Sequence, residues 1–180
     1  GNHTLGSAGT QSNAVSVNVA DPASPTAAEL SAAVNSALGR ILTLKDEANY
    51  PINVPAREFV FMYPSAWAGV AEQALSLFWI GNSSSTVPNP LGGYYANVDA
   101  SRRIKIVGIP NPVLSASDKG YLFCTDGEVK PLIVQHRSPL ELVGYDEHEL
   151  LMNNRYVWKI SQNKAAGVMA WRHAIQLTLT

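Results

Sequence analysis

Gly120-Tyr121-Leu122-Phe123-Cys124-Thr125-Asp126-Gly127-Glu128-Val129-Lys130-Pro131-Leu132-Ile133-Val134-Gln135-His136-Arg137 is the stretch that decides the fold. Two apolar runs flank Asp126-Gly127, a pair that accepts the positive φ angles of a tight hairpin turn. The stretch is therefore expected to form two antiparallel strands, the second leaving at Gln135-His136-Arg137-Ser138-Pro139. Beyond the acidic loop Asp146-Glu147-His148-Glu149 come two more extended runs, Arg155–Ser161 and Val168–Thr180, which carry Trp158 and Trp171. These pieces predict a closing sheet over the last sixty residues, with both tryptophans as core anchors. Nothing in it has the spacing of a catalytic site.

Upstream, residues 1–25 are rich in Gly, Ser, Asn and Ala and predict a flexible lead-in or an edge strand, with His3 solvated. Thr26 and Glu29 form a capping box behind Ser24-Pro25, and Leu30, Val34, Ala37, Leu38, Ile41 and Leu44 then recur at helical spacing. The helix is expected to close at Lys45-Asp46-Glu47 on its wet side. Glu58–Tyr63 predicts a buried strand and Pro64-Ser65 a second helix, with Trp67, Val70, Ala71, Ala74, Leu77 and Phe78 on one face. No glycine lies in the Tyr63-Pro64-Ser65 step, which argues against a phosphate-binding loop. Gly81–Tyr95 predicts a long irregular loop with a polar tip and an anchoring pair, Tyr94-Tyr95. Arg102–Ile109 alternates basic and apolar residues, as a half-exposed strand does, and Pro110 and Pro112 stop it.

Composition narrows the function. At 180 residues one compact domain is expected, burying about 70% of its unfolded surface. Charged residues make up 15% of the chain, low enough to suggest a surface partly covered by partners. A net charge of −1 without a basic run argues against phosphate-driven nucleic-acid binding. The single cysteine, Cys124, excludes an internal disulfide and reads as a small core residue. No apolar run approaches the roughly 18 residues of a membrane span. His136 and His173 sit beside arginines with no nucleophile motif attached, and Asp146–Glu149 lacks a spaced second histidine. No catalytic residue, metal or cofactor is expected.

The order of the pieces resembles the Mu-like prophage major head subunit, the coat-protein family of Mu-type phages. Gly1-Asn2-His3-Thr4-Leu5 is similar to that family's His-Gly-Asn segment entered just after its histidine, and Asn89-Pro90-Leu91-Gly92-Gly93 to its Asn-Pro-Leu turn. The most specific match is Tyr121-Leu122-Phe123 followed by Lys130-Pro131-Leu132-Ile133 and Gln135-His136-Arg137. Arg155-Tyr156-Val157-Trp158 and Gly167–Ala174 are similar to its last two strands. Ile160–Lys164 departs from the family at its final turn, and Ser83–Pro88 is extra loop.

The resemblance implies an α+β tailed-phage coat fold of the Hong Kong phage type, the fold shared with herpesviruses and encapsulins. It implies the axial domain plus part of the peripheral domain, without the N-terminal arm and extended loop. The expected division is 1–25 lead-in, 26–120 axial-domain-like region and 121–180 closing β-rich region. It implies self-association into pentamers and hexamers around non-specifically held DNA, with scaffolding or a maturation protease as further partners. The location would be the virion, reached through the bacterial cytoplasm, with no membrane stage. Candidate subunit-interface residues are Asn82, Ser83, Ser84, Ser85, Tyr94, Tyr95, Arg102, Arg103 and Arg137, with the Asn82–Tyr95 loop at the axial tip. Two rival readings stay open: a binding module, for carbohydrate, on the Tyr94-Tyr95 loop, and a small hydrolase using His136 or His173.

Overall fold

The computed structural model describes residues 2–5, 9–77, 79–82, 85–89, 91, 104–145 and 157–180. In chain order the strands and helices begin with β1 (Asn2–Leu5), β2 (Gly9–Ser12), β3 (Ala14–Val17), α1 (Ala27–Leu42) and β4 (Glu58–Pro64). A 3-10 turn, Ser65–Trp67, leads into α2 (Ala68–Ser76), followed by β5 (Trp79–Asn82), β6 (Ser85–Pro88), β7 (Lys105–Asn111) and β8 (Lys119–Cys124). Then come β9 (Leu132–Tyr145), β10 (Val157–Val168), a 3-10 turn at Trp171–His173, and β11 (Ala174–Leu179). The architecture is mixed α+β, mostly sheet with two α-helices among the described residues. The chain divides into two compact units: Gly1–Pro131 with Ala170–Thr180, and Leu132–Met169.

The larger unit is built on a five-stranded sheet of order β3-β11-β8-β4-β7. β4 alternates along its length, so Phe59, Phe61 and Tyr63 point to one face and are buried. Leu122 and Cys124 of β8 and Ile175, Leu177 and Leu179 of β11 join them in one core cluster. The apolar stripe of α1, Leu30, Val34, Ala37, Leu38 and Ile41, packs into that cluster together with Ala71 and Ala74 of α2 and the buried Trp67.

Local chemistry explains where α1 starts and stops. Thr26 Oγ1 accepts from the Glu29 amide, and the Glu29 carboxylate accepts from the Thr26 amide, which closes the capping box. The helix ends at Leu42 rather than at Lys45-Asp46-Glu47. Asp46 Oδ1 instead accepts from the Tyr50 amide, Lys45 bridges to Pro51, and Asn49 takes a φ of 69°. The three residues form a tight turn, and Leu44 stays in the core from beyond the helix.

Asp126-Gly127 does not turn a hairpin. β8 pairs with β4 and β11, β9 pairs with β10, and Gly9 is the only glycine at positive φ among the described residues. The Asp126 carboxylate instead accepts from the amides of Arg57 and Glu58 at the entry of β4, and the Thr125 amide donates to Glu58 O. The buried strand β4 thus takes the edge of β8 that the hairpin would have used. The expected closing sheet is correspondingly split, β8 and β11 lying in the main sheet and β9 and β10 in the second unit.

Two further segments depart from expectation. Residues 81–82 and 85–88 are not irregular: β5 and β6 form an antiparallel pair in which Asn82 faces Ser85. The lead-in carries the β1–β2 hairpin and then β3, an edge strand of the main sheet. At the opposite edge, β7 accommodates Pro110 because no further strand needs its missing N–H.

The second unit is a two-stranded antiparallel ribbon of β9 and β10. Ile160 faces Leu142 and Trp158 faces Gly144 at one end, while Val168 faces Leu132 and Ala166 faces Val134 at the other. Between Glu141 and His136 the register shifts, and the extra residues, including Pro139, sit on β9.

Candidate functional site

Both units offer candidates. In the larger unit a cavity of about 100 Å³ is lined by Ile52, Asn53, Pro55, Ala56, Cys124, Asp126, Gly127 and His173. Asn53 is 1% exposed and clamps two segments, its Nδ2 donating to Ile41 O and to Arg172 O at 2.8 Å each. Asn53 Oδ1 and His173 Nδ1 are buried with no hydrogen-bond partner among the described residues. Arg172 pairs with Glu47 at 3.2 Å and lies 5.6 Å over the Trp171 ring. Trp171 stacks in turn on His3, with ring centroids 3.8 Å apart. His3 is therefore held by an aromatic partner rather than solvated.

The electrostatics of this cluster do not make a nucleophile. Burial pushes the Cys124 thiol up to about 11, and its hydrogen bond to Asp126 Oδ1 at 3.3 Å acts in the same direction. At neutral pH it is a protonated thiol, the inert form. Burial alone would raise the Asp126 carboxyl, but the Arg57 amide, the Cys124 thiol and the Glu58 amide outweigh it and hold it below the usual range. His173 is lowered, by burial first and by the Arg172 guanidinium second, with Asp126 opposing. The thiol donates its hydrogen bond to a carboxylate, not to the imidazole. His136 lies on the exposed ribbon opposite Lys164, so the two histidines of the hydrolase reading occupy different units. Among the described residues no group of three or more His, Cys, Asp or Glu is placed to hold a metal ion, and no helix is long and apolar enough to cross a membrane.

An open groove between α2 and β7 is lined by Tyr63, Glu72, Leu75, Ser76 and Gly108 among others. The Tyr63 phenol is raised there, by burial first and then by the Glu72 charge.

In the second unit the ribbon itself is the feature. Residues opposite each other in an antiparallel pair share a face, and alternate residues along a strand return to it. Trp158, Ile160 and Val168 of β10 therefore share a face with Leu142, Val134 and Leu132 of β9. All six are exposed, Ile160 to 70% and Trp158 to 63%. Trp158 is thus a surface ring and not the core anchor expected of it. The other face carries Lys159, Ser161, Asn163, Glu141, Arg137 and Gln135 together with Val143 and Ile133. Both faces are mixed, since Lys164 and His136 share the face of Trp158 and Ile160.

Of the expected interface residues, Arg137 lies on β9 of the ribbon, and Asn82 and Ser85 lie at the closed end of the β5–β6 hairpin. Ser83, Ser84, Tyr94, Tyr95, Arg102 and Arg103 fall outside the described residues, as do Phe78 and Asp146–Glu149. Part of the Asn82–Tyr95 segment belongs to the core of its own subunit. Asn89 is 1% exposed, accepts from Ser31 Oγ and the Leu91 amide, and donates to Ala74 O and Leu77 O. Those two carbonyls are among the acceptors left open at the end of α2, so Asn89 caps that helix from a distance. Loop composition alone could not reveal this. The usable signal was Asn89 between two prolines and beside Leu91, a turn with a buried anchor.

Comparison of the chain with known protein families and with curated proteins finds no match in either.

Proposed function

We propose that this chain is a structural subunit that acts by associating with copies of itself, as the major capsid subunit of a tailed phage of the Mu-like kind. The observation that carries the reading is the β9–β10 ribbon. A two-stranded ribbon is marginal in water by itself, and both of its outer edges are open among the described residues. Its exposed apolar side chains, Trp158, Ile160 and Leu142 at one end and Val168, Leu132 and Val134 at the other, are the kind of surface that protein contacts cover. The cavity beside Cys124 supports no competing chemistry, because its thiol is protonated and bonded to a carboxylate. The quoted segments Lys130–Ile133 and Gln135–Arg137 add the likeness to the coat family. On this reading the partners are other copies in pentamers and hexamers, with DNA enclosed without sequence preference, and the protein resides in the virion.

The test is quantitative mass spectrometry of particles sedimented from lysates of cells that carry the gene. Peptides of this chain should be the most abundant protein in DNA-filled particles, and their absence from such particles overturns the reading. Leu142→Lys with Ile160→Lys should lower particle yield while the chain's larger unit keeps its melting temperature.

A further inference from the structure

The two connections that lead out to the ribbon and back both pass the cavity of the larger unit. The outgoing one leaves β8 through Thr125, Asp126 and Gly127, and the returning one enters β11 through Trp171, Arg172 and His173. Each is clamped to the segment Ile52–Glu58. Asp126 holds the amides of Arg57 and Glu58, the Thr125 amide and hydroxyl donate to Glu58 O, and Asn53 holds Arg172 O. The His173 imidazole stands between these clamps, lining the same cavity as Asn53 and Asp126. A Cβ on Gly127 would lie 3.9 Å from His173 Nδ1, so a side chain there would come into contact with the ring.

The cavity is roomy enough for about three waters at roughly 30 Å³ each, and although its wall is mostly apolar, Asn53, Asp126 and His173 bring polar groups to it. Asn53 Oδ1 and His173 Nδ1, both lacking partners, are the groups such waters would bridge. Protons therefore have a route to a half-buried imidazole. We propose that His173 is a pH-sensitive latch on both connections: neutral, it lets them close on Ile52–Glu58, and protonated, it loosens them.

The charged groups around the ring decide the direction. On its own turn stands the Arg172 guanidinium, which Glu47 pairs from the loop after α1. Asp126 and the Cys124 thiol face it from the end of β8. On the Ile52–Glu58 segment, Arg57 turns its guanidinium to the carbonyls of Val54 and Ala56, and Lys130 of the outgoing connection bonds Thr125 O. His3 is stacked on the neighbouring Trp171. Asp126 favours an imidazolium, but its oxygens already serve two amides and a thiol, and burial with Arg172 prevails against it. A group lowered in the folded state contributes in full above its ordinary value, about 6.5 for histidine, and loses that contribution as pH falls below it.

Amide hydrogen exchange on the chain as it stands, corrected for intrinsic pH dependence, tests the latch between about pH 7.5 and about pH 5. Protection over 125–131 and 170–174 should fall by about tenfold relative to β4 and α1. His173→Gln, neutral at both values, should abolish that relative loss, and His173→Asn serves if the Gln variant does not fold. An equal loss in wild type and variant overturns the proposal, as does a loss shared by β4 and α1, which would mark global unfolding. If neither variant folds, nuclear magnetic resonance of wild type decides. The midpoint of the His173 ring titration must coincide with the exchange midpoint, and a mismatch overturns the latch.

Discussion

Trp158 lies flat against Gly144, its partner across the ribbon, so closely that a Cβ on Gly144 would come within 3.0 Å of the indole. The contact replaces core burial: the ring covers a glycine on one side and faces outward on the other. Trp158→Ala should therefore change the stability of the larger unit by no more than about 0.5 kcal/mol. Trp67, fully buried beside α2, should cost about 3–5 kcal/mol on truncation to Ala. Urea unfolding followed by far-ultraviolet circular dichroism distinguishes the two, and equal losses would put Trp158 in a core.

Asn89 should be far more sensitive than its place in a polar segment suggests. Asn89→Leu keeps the bulk but strands the Ala74 carbonyl and the Ser31 hydroxyl in a dry interior and removes the partner of the partly buried Leu77 carbonyl. Each stranded group costs about 1–3 kcal/mol, so the melting temperature should drop by several degrees. A neutral outcome would show that water reaches those groups.

The capping box of α1 carries a pH signature. The amides of Thr26 and Ala20 hold the Glu29 carboxyl below its ordinary value, with the Thr26 hydroxyl adding to them. A carboxyl lowered by folding stabilises the native state above its ordinary value of 4.5, and that support is lost as pH falls through the lower folded value. Thr26→Ala should cost about 1 kcal/mol near neutrality and flatten this acid limb. Urea midpoints measured from about pH 6 to about pH 3 provide the check.

Cys124 should resist thiol reagents while the chain is folded. With its thiol near 11 and almost wholly buried, an aromatic disulfide reagent should label it only as fast as the chain opens. Labelling should become immediate in denaturant. Rapid native labelling at neutral pH would mean that the cavity beside it admits the reagent.

The parts legible in the sequence were those decided by neighbours along the chain. The Thr26–Glu29 box, the stripe from Leu30 to Ile41 and the alternation of Glu58–Tyr63 each follow from local geometry, and all three form. Strand partnership was not legible. Asp126-Gly127 satisfies every local requirement of a hairpin, yet β8 finds β4 and β11, from far away in sequence, and Asp126 caps β4 instead. The cavity site was hidden for the same reason: Asn53, Asp126 and His173 come from three distant segments and share no motif. Trp158 misled because an aromatic residue in an apolar run suits a core strand and an exposed ribbon equally well.

β11 pairs in parallel with β3, Gln176 opposite Ala14 and Leu179 opposite Val17, and the Thr180 amide reaches back to Val17 O. It is the last strand of the chain among those described, yet it stands between β3 and β8 and contributes Ile175, Leu177 and Leu179 to the core. On the ribosome, β3 has to wait through more than 150 residues of synthesis for β11, its one neighbour in the sheet among the described residues. Until then Leu122, Phe61 and the stripe of α1 face a gap where the strand belongs. Nascent chains stalled just before Ala174 should therefore bind chaperones that recognise apolar segments, and chains long enough for β11 to clear the ribosome should let them go.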